Sequence, residues 1–404
     1  MTMTTTTDII GLEAAHLLQV YRRGPVVFER GMGCRLFDGD GRSYLDLTSG
    51  VGVASLGHAH PRLAAALASQ ATALIHTSNL FYHPLQGEVA ARLAALSGLP
   101  RAFFCNSGTE AVEASLKFAR RYWRARGHEA RTGIIALEHA FHGRTFGSLS
   151  VTWDEHYRGP FGPLVPGVTF VPADDPEALR AAVTDSTAAI IVEPIQGEGG
   201  VRPLSPRMAG AIADACAATG TLLIADEIQC GLGRTGKPFH SATLGLTPDI
   251  IAVGKVLGGG VPVGAALFSE QVAGAAAFGD HGSTYGGNLL ACRAALVFLD
   301  ELVGNGLMAH VARMGIYVRE QLSVLAGRHT VIRDVRGLGL IWGIELDRPA
   351  LPVVDAARER GLLINRTSDT VIRLLPPYII TSREIDEGMA LLDAALTATF
   401  PAPR

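Results

Sequence analysis

The stretch LLIADEIQCGLGRTG at 222–236 decides the fold. Its opening run is apolar without alternation and stops at an acid, Asp226. Two other stretches have the same form. AAIIVE at 188–193 stops at Glu193, and DIIAVGK at 249–255 stops at Lys255. Unbroken apolar runs of this length read as strands covered on both faces, the pattern of a parallel α/β sheet flanked by helices. Ligands of such sheets bind beyond the carboxyl ends of the strands. All three charged residues fall at that edge, so one set of residues predicts both the sheet and the site.

On either side of these runs, further strands are expected at Arg101–Cys105, Gly133–Leu137, Val168–Val171 and Val263–Phe268. Helices are expected at Thr109–Arg126, Pro176–Val183 and Pro206–Thr219. The helix from Thr109 is the clearest: Val112, Leu116, Ala119 and Trp123 form one stripe, and Gly127 is a natural stop. Beyond about residue 300 the texture changes to helical stretches at Asp300–Ala326 and Val353–Arg360 around short strands at Val331–Arg336, Leu340–Glu345 and Val371–Leu375. This predicts a smaller α/β domain. Residues 26–48 read as an antiparallel hairpin unit around Asp38-Gly39-Asp40-Gly41.

Composition narrows the class. A chain of 404 residues allows two to three domains at ~150 residues each. With 48% hydrophobic and 18% charged residues, global disorder is excluded. A net charge of −3 gives no electrostatic case for nucleic acid. Met1–Leu18 is Thr-rich and lacks a basic segment followed by an apolar run, so no signal peptide is expected. Ile250–Phe268 imitates a membrane span, but Lys255, the glycines 258–260 and Pro262 argue for a buried strand and a glycine-rich loop. The five cysteines, Cys34, Cys105, Cys216, Cys230 and Cys292, form no Cys-x-x-Cys pair. Neither a disulfide framework nor a metal site is expected, and a reducing cytoplasm fits best.

Lysine occurs only at 117, 237 and 255. Lys117 falls on the wet side of an amphipathic helix and Lys237 in a polar turn, whereas Lys255 ends an apolar strand. A lysine in an apolar pocket has a depressed pKa and becomes a usable nucleophile; an ion-paired lysine is the plainer alternative. Asp226, at the end of a buried strand, needs a partner to stay ionised, and a protonated heterocyclic nitrogen would serve. Asn106-Ser107-Gly108-Thr109-Glu110 joins a strand to the best helix. It is either a capping box or an anion site with hydroxyl donors added. Gly231–Gly236 matches G-x-G-x-x-G, but Lys237-Pro238 follows and no helix opens, which argues against a dinucleotide site.

An anion-binding helix start, a strand-end aspartate and a strand-end lysine, in that order, suggest pyridoxal phosphate. From about Tyr21 onward the chain resembles the class III, fold type I aminotransferases. The motifs are CNSGTEAVEASLKFAR (105–120), FHGRT (141–145), VEPIQGEGG (192–200), LLIADEIQCGLGRTG (222–236), GKVLGGGVPVG (254–264) and STYGGN (283–288). Within the class, HTSNLFY (76–82), GDHGSTYGGN (279–288) and VRGLGL (335–340) look most like N-acetylornithine aminotransferases. Thr109 stands where those enzymes often have alanine.

The resemblance implies a large cofactor domain with a mostly parallel central sheet and a smaller α/β domain built from both chain ends. Boundaries are placed at 1–50 for the N-terminal segment, 51–299 for the large domain and 300–404 for the small one. It also implies roles. Lys255 would carry the cofactor and Asp226 would face its ring nitrogen. Gln229 would lie near the phenolic oxygen, and Phe141 would stack on the ring, with His142 and Glu193 supporting. Ser107, Gly108 and Thr109 would hold the phosphate, joined by Thr284 from the other subunit of a homodimer. Arg144 would grip a substrate carboxylate, with Tyr21, Asn79 or Ser283 nearby. Glu198 would pair with Arg373 while the donor is bound and release it for the α-carboxylate of 2-oxoglutarate. The implied reaction moves the terminal amino group of N-acetylornithine to 2-oxoglutarate. Ornithine, succinylornithine, 4-aminobutyrate and lysine derivatives are alternative donors. An NAD-dependent oxidoreductase and a non-catalytic dimeric relative are the rival classes.

Overall fold

The computed structural model describes residues 5–401. Three strands near the N terminus, β1 (Phe28–Met32), β2 (Arg35–Asp38) and β3 (Ser43–Asp46), form an antiparallel meander. The expected hairpin is therefore a pair of hairpins, turned at Asp38, whose carbonyl accepts the Gly41 amide.

The central sheet contains β4 (Arg101–Cys105), β5 (Gly133–Leu137), β6 (Val168–Val171) and β7 (Thr187–Val192). After a two-residue ladder of β8 (Ile195–Gln196) and β9 (Arg202–Pro203), it is completed by β10 (Leu222–Asp226), β11 (Ile250–Val253) and β12 (Gly264–Phe268). The order is β4-β12-β11-β10-β7-β5-β6, with β12 antiparallel to both of its neighbours. Every residue of β7, β10, β11 and β12 is buried. Successive side chains on a strand point to opposite faces. Ala189 and Ile191 accordingly pack with Ala111, Val112 and Ala119 of the helix Gly108–Ala125. Ile190 and Val192 pack with Met208 and Ile212 of the helix Pro206–Thr219. Continuous hydrophobicity in the sequence follows from these two covered faces. Ile250–Phe268 is two strands joined by a short 3-10 turn, Lys255–Gly258, and does not form a helix.

The second part of the chain builds a four-stranded antiparallel sheet from β13 (Ile332–Leu338), β14 (Ile341–Leu346), β16 (Asn365–Arg366) and β17 (Val371–Leu374), while β15 (Leu362–Leu363) pairs parallel with β3. Strand pairing thus joins the two ends of the chain. The expected helix Asp300–Ala326 is broken. A π turn at Asp300–Gly304 ends before Gly306, whose φ of 73° is left-handed, and a new helix runs over Leu307–Arg328. Helices Pro61–Ala73, Gln86–Ser97 and Ser382–Thr399 were not anticipated. The last has a legible start, a capping box between Thr381 and Glu384. Among the described residues no single helix is long and apolar enough to cross a membrane; the helical pair Leu289–Gly304 and Leu307–Arg328 passes only when joined across a 66° bend.

Asp46 locks the turn after β3. One carboxylate oxygen accepts the amides of Thr48 and Ser49 at 2.8 and 2.9 Å and the Thr48 hydroxyl at 2.7 Å; the other lies 2.9 Å from His58 Nε2. Burial alone would raise its pKa, but the bonds from His58 and Thr48 outweigh burial and hold it below the ordinary value. A carboxyl whose folded pKa is depressed contributes stability above its unfolded pKa and loses it in acid. Asp46→Ala should therefore cost roughly 3 kcal/mol near neutral pH. In urea titrations the deficit against wild type should shrink as pH falls below about 4. A deficit that does not change with pH would assign it to lost packing.

Candidate active site

β7, β10 and β11 lie side by side and parallel, with Ala225 opposite Val192 and Asp226 opposite Ala252. Neighbouring strands stand ~4.8 Å apart. Glu193, Asp226 and Lys255 therefore emerge together at one edge, lining a cavity of about 300 Å³. Lys255 has a φ of 41°, a strained value for a residue with a side chain. The preceding Gly254 lies so close to Gly108 that a Cβ would sit 3.2 Å from that backbone. Burial lowers the pKa of the Lys255 amine, and the charges of Glu198 and Asp226 offset only part of this.

Asp226 is 4% exposed. One of its oxygens lies 2.7 Å from His142 Nδ1 and the other accepts the Ile228 amide at 3.1 Å. His142 Nε2 is buried without a partner. Glu193 ties two walls together, accepting the amides of Phe141 at 2.8 Å and Gly197 at 3.0 Å. Burial pushes its carboxyl up to about 7, with Asp226 adding to the shift and His142 opposing it.

The helix Gly108–Ala125 begins at this cavity. Ser107 is its cap, its hydroxyl accepting the Glu110 amide at 3.3 Å. Glu110 does not close the box on Ser107; it accepts the Asn106 amide at 2.6 Å. The Thr109 hydroxyl accepts the amides of Arg144 and Thr145 at 3.2 and 3.3 Å and lies 2.6 Å from Ser148 Oγ. Both hydroxyls are thus engaged inside the protein. Accepting an amide leaves the Ser107 O–H free to donate, and the first-turn backbone amides of Gly108 and Thr109 are further donors that the helix leaves over. A Cβ on Gly108 would come within 2.8 Å of Ile228, so the cradle requires glycine.

Behind the cavity, Arg373 is 1% exposed. It donates to Glu198 at 2.6 Å, to Gln229 at 3.1 Å and, through Nε, to Asn365 at 3.4 Å. Burial would raise the pKa of Glu198, but Arg373 holds it below the ordinary value. Arg144 lines the same cavity, with its guanidinium 3.7 Å from the centroid of the Tyr157 ring and 5.5 Å from that of Phe141. Among the described residues it makes no ion pair.

The cavity therefore brings together Gly108, Thr109, Phe141, His142, Arg144, Glu193, Glu198, Asp226, Gln229 and Lys255. It does not include Tyr21, Asn79, Ser283 or Thr284. Tyr21 and Thr284 are exposed. Asn79 donates to the carbonyls of Ser283 and Gly286, and Ser283 Oγ accepts the Gly286 amide. Sequence reasoning missed three residues. Gly143 and Ile228 sit inside quoted motifs, and Asn365 gives no sequence signal for its bond to Arg373. Gly143 has a φ of 135° and approaches Thr109 so closely that a Cβ would be 2.3 Å from its hydroxyl.

The family profile for class III aminotransferases matches residues 19–396. The chain belongs to this family. The acetylornithine aminotransferase of Methanocaldococcus jannaschii is 46% identical over 392 residues, covering 96% of this chain and 98% of that protein. Among solved structures, the ornithine aminotransferase of Toxoplasma gondii ME49 superposes with a TM-score of 0.94 at 34% identity, covering 98% of this chain and 96% of that one. The N-acetylornithine aminotransferase of Stenotrophomonas maltophilia K279a gives 0.83 at 34% identity over 96% and 98%. The fold is that of the fold type I aminotransferases, and the cofactor of the family is pyridoxal phosphate. The residues present fit it: a glycine-lined amide cradle for a phosphate, a buried carboxylate backed by histidine for a ring nitrogen, and an amine with a lowered pKa between them.

Lys255→Ala should abolish the visible absorbance of the bound cofactor's covalent link and reduce turnover by at least ~10²-fold. Borohydride reduction of wild type should fix the cofactor on Lys255; peptide mapping that finds it on Lys117 or Lys237 would refute the assignment.

Proposed function

We propose that this aminotransferase moves the terminal amino group of an N-acylated diamino acid, N-acetylornithine first, to 2-oxoglutarate. The observation that carries this reading is the unequal state of two arginines. Arg373 is neutralised by Glu198 at 2.6 Å, while Arg144 keeps an uncompensated charge on the cavity wall. A free Arg373 would draw the donor's α-carboxylate toward it and present the wrong amine. With Arg373 occupied, the donor's carboxylate goes to Arg144 and its far amine reaches Lys255. Movement of Glu198 then opens Arg373 to the acceptor, whose reacting carbon is next to its carboxylate. Arginine suits both grips because its planar fork binds a carboxylate in two places.

Bound here, pyridoxal phosphate supplies the electron sink for the pair left when a C–H bond beside the amine is broken. Asp226, oriented by His142, holds a proton at the ring nitrogen. The Lys255 amine would take the proton from the substrate carbon and return it to the carbon on the other side of the amine nitrogen. Phe141 would cover a ring face and Gln229 would stand near the phenolic oxygen, while Glu193 holds the Phe141 and Gly197 segments in place.

The same reading includes a cytoplasmic homodimer in which Thr284 reaches the partner's phosphate cradle. Thr284 is exposed on its own chain and stands beside Tyr285, itself exposed; Leu80, Phe81 and Tyr82, next to Asn79, are exposed as well. Large apolar surface of this kind is covered by a partner, and most homo-oligomers close by two-fold symmetry. Ornithine is the second donor to consider, favoured by the fold likeness to an ornithine aminotransferase.

Steady-state rates with N-acetylornithine, ornithine, N-succinylornithine and 4-aminobutyrate should rank N-acetylornithine first; a higher kcat/KM for ornithine overturns the choice. Glu198→Ala should impair the donor half-reaction and admit α-amino groups such as glutamate's. Arg373→Ala should chiefly weaken 2-oxoglutarate, by roughly 2–5 kcal/mol. Single-turnover absorbance with each substrate alone separates these effects, and equal damage to both halves in both variants would sink the switch. Light scattering of the loaded enzyme should give at least twice the 42.5 kDa of one chain.

A further inference from the structure

The turn Gly231–Gly236 has a use that its glycine spacing hides. Arg234 is 0% exposed, yet among the described residues no carboxylate pairs with it. Its Nη1 donates to the carbonyls of Leu340 at 3.1 Å and Pro376 at 2.6 Å, and its guanidinium lies 4.4 Å from the centre of the Tyr378 ring. Among the described residues, Nε and Nη2 have no hydrogen-bond partner. An apolar side chain of that volume would fill the space without the cost of burying a cation. Leu340 immediately precedes β14 and Pro376 follows β17. The two strands are antiparallel, with Trp342 opposite Leu374 and Gly343 opposite Arg373. One guanidinium therefore fastens the entry of one strand to the exit of the other, about 10 Å along the chain from Arg373 at ~3.3 Å per residue. The turn itself cannot shift. The Arg234 carbonyl accepts the Leu340 amide at 2.9 Å, and Gly339 lies so near that a Cβ would be 2.4 Å from that carbonyl. The same loop carries Gln229, which touches Arg373 and Glu198.

We propose that Arg234 is the positioning residue for Arg373: it holds the paired strands at a fixed distance from the cofactor edge and so sets where the acceptor's carboxylate is gripped. This rests on the assignment of Arg373 to the acceptor. Arg234 touches neither cofactor nor substrate, so its loss should leave the cofactor's absorbance and the donor half-reaction close to wild type.

The test compares Arg234→Met, which removes the charge, with Arg234→Lys, which keeps the charge on a shorter side chain whose ammonium falls short of the two carbonyls that Nη1 reaches. In single-turnover experiments each should weaken 2-oxoglutarate at least ~10-fold, or about 1.4 kcal/mol, with the donor half-reaction changed less than about twofold. In an Arg373→Ala background the same changes should add little, because residues acting through one another are not additive. A purely structural role would slow both half-reactions alike and remain additive with Arg373→Ala; either result overturns the proposal. Should Arg234→Met fail to fold, the lysine variant and its double mutant decide. The shift in Tm of the loaded enzyme with added 2-oxoglutarate reads acceptor binding without any donor. If wild type is inactive with all four donors but is still stabilised by 2-oxoglutarate, the donor assignment has failed and the Arg234 effect is still measured.

Discussion

Three ionisable groups stand at the carboxyl ends of three adjacent parallel strands, Glu193 and Asp226 buried and Lys255 half-buried at the cavity wall. Glu193, Asp226 and Lys255 are held there by backbone ladders, not by their own attractions. Taking charge out of water is expensive, so each group must find a partner or change its protonation. The surrounding structure follows from that demand. His142 stands against Asp226, the amides of Phe141 and Gly197 converge on Glu193, and the Lys255 amine has its pKa lowered. A sheet buried on both faces fixes these positions through its backbone.

The two arginines extend the same logic to substrate charge. Arg373 can be almost fully buried because Glu198 and Gln229 meet it; Arg144 can stay unpaired because it lies at an open wall, stacked on Tyr157. The chain thus keeps one arginine neutralised by a carboxylate and another exposed to the cavity. Arg234 is a third cation, buried without a carboxylate, and its hydrogen bonds go to backbone carbonyls of the sheet that carries Arg373. The large sheet carries Glu193, Asp226 and Lys255 at its edge, and the antiparallel sheet carries Arg373.

Thr109 shows how sequence can place a local motif without showing all of its contacts. Ser107, Gly108 and Thr109 do begin a helix at the cavity, as the strand-to-helix spacing implies. Their hydroxyl oxygens also accept the amides of the cap and of the 144–148 turn, contacts that the spacing does not announce. Sequence spacing gives the position of a helix start, but a hydroxyl's partner depends on which loop is folded over it.

What the sequence alone determined was the part governed by local periodicity and burial. Continuous apolar runs ending in Glu193, Asp226 and Lys255 announced a sheet buried on both faces and an edge that carries chemistry, because neither feature requires knowing what lies opposite. The stripe from Val112 to Trp123 was legible for the same reason. The helices at 61–73 and 86–97 were not, since alanine-rich stretches carry little pattern of their own; the break at Gly306 had a turn signal in Gly304-Asn305-Gly306 that the expected Asp300–Ala326 helix passed over. The tertiary structure decided the pairings. Glu198 meets Arg373 across 175 residues, and Arg234 reaches Leu340 and Pro376 across 106 and 142. No periodicity encodes such contacts, because they arise from how two sheets pack and from the electrostatic cost of leaving a buried charge alone.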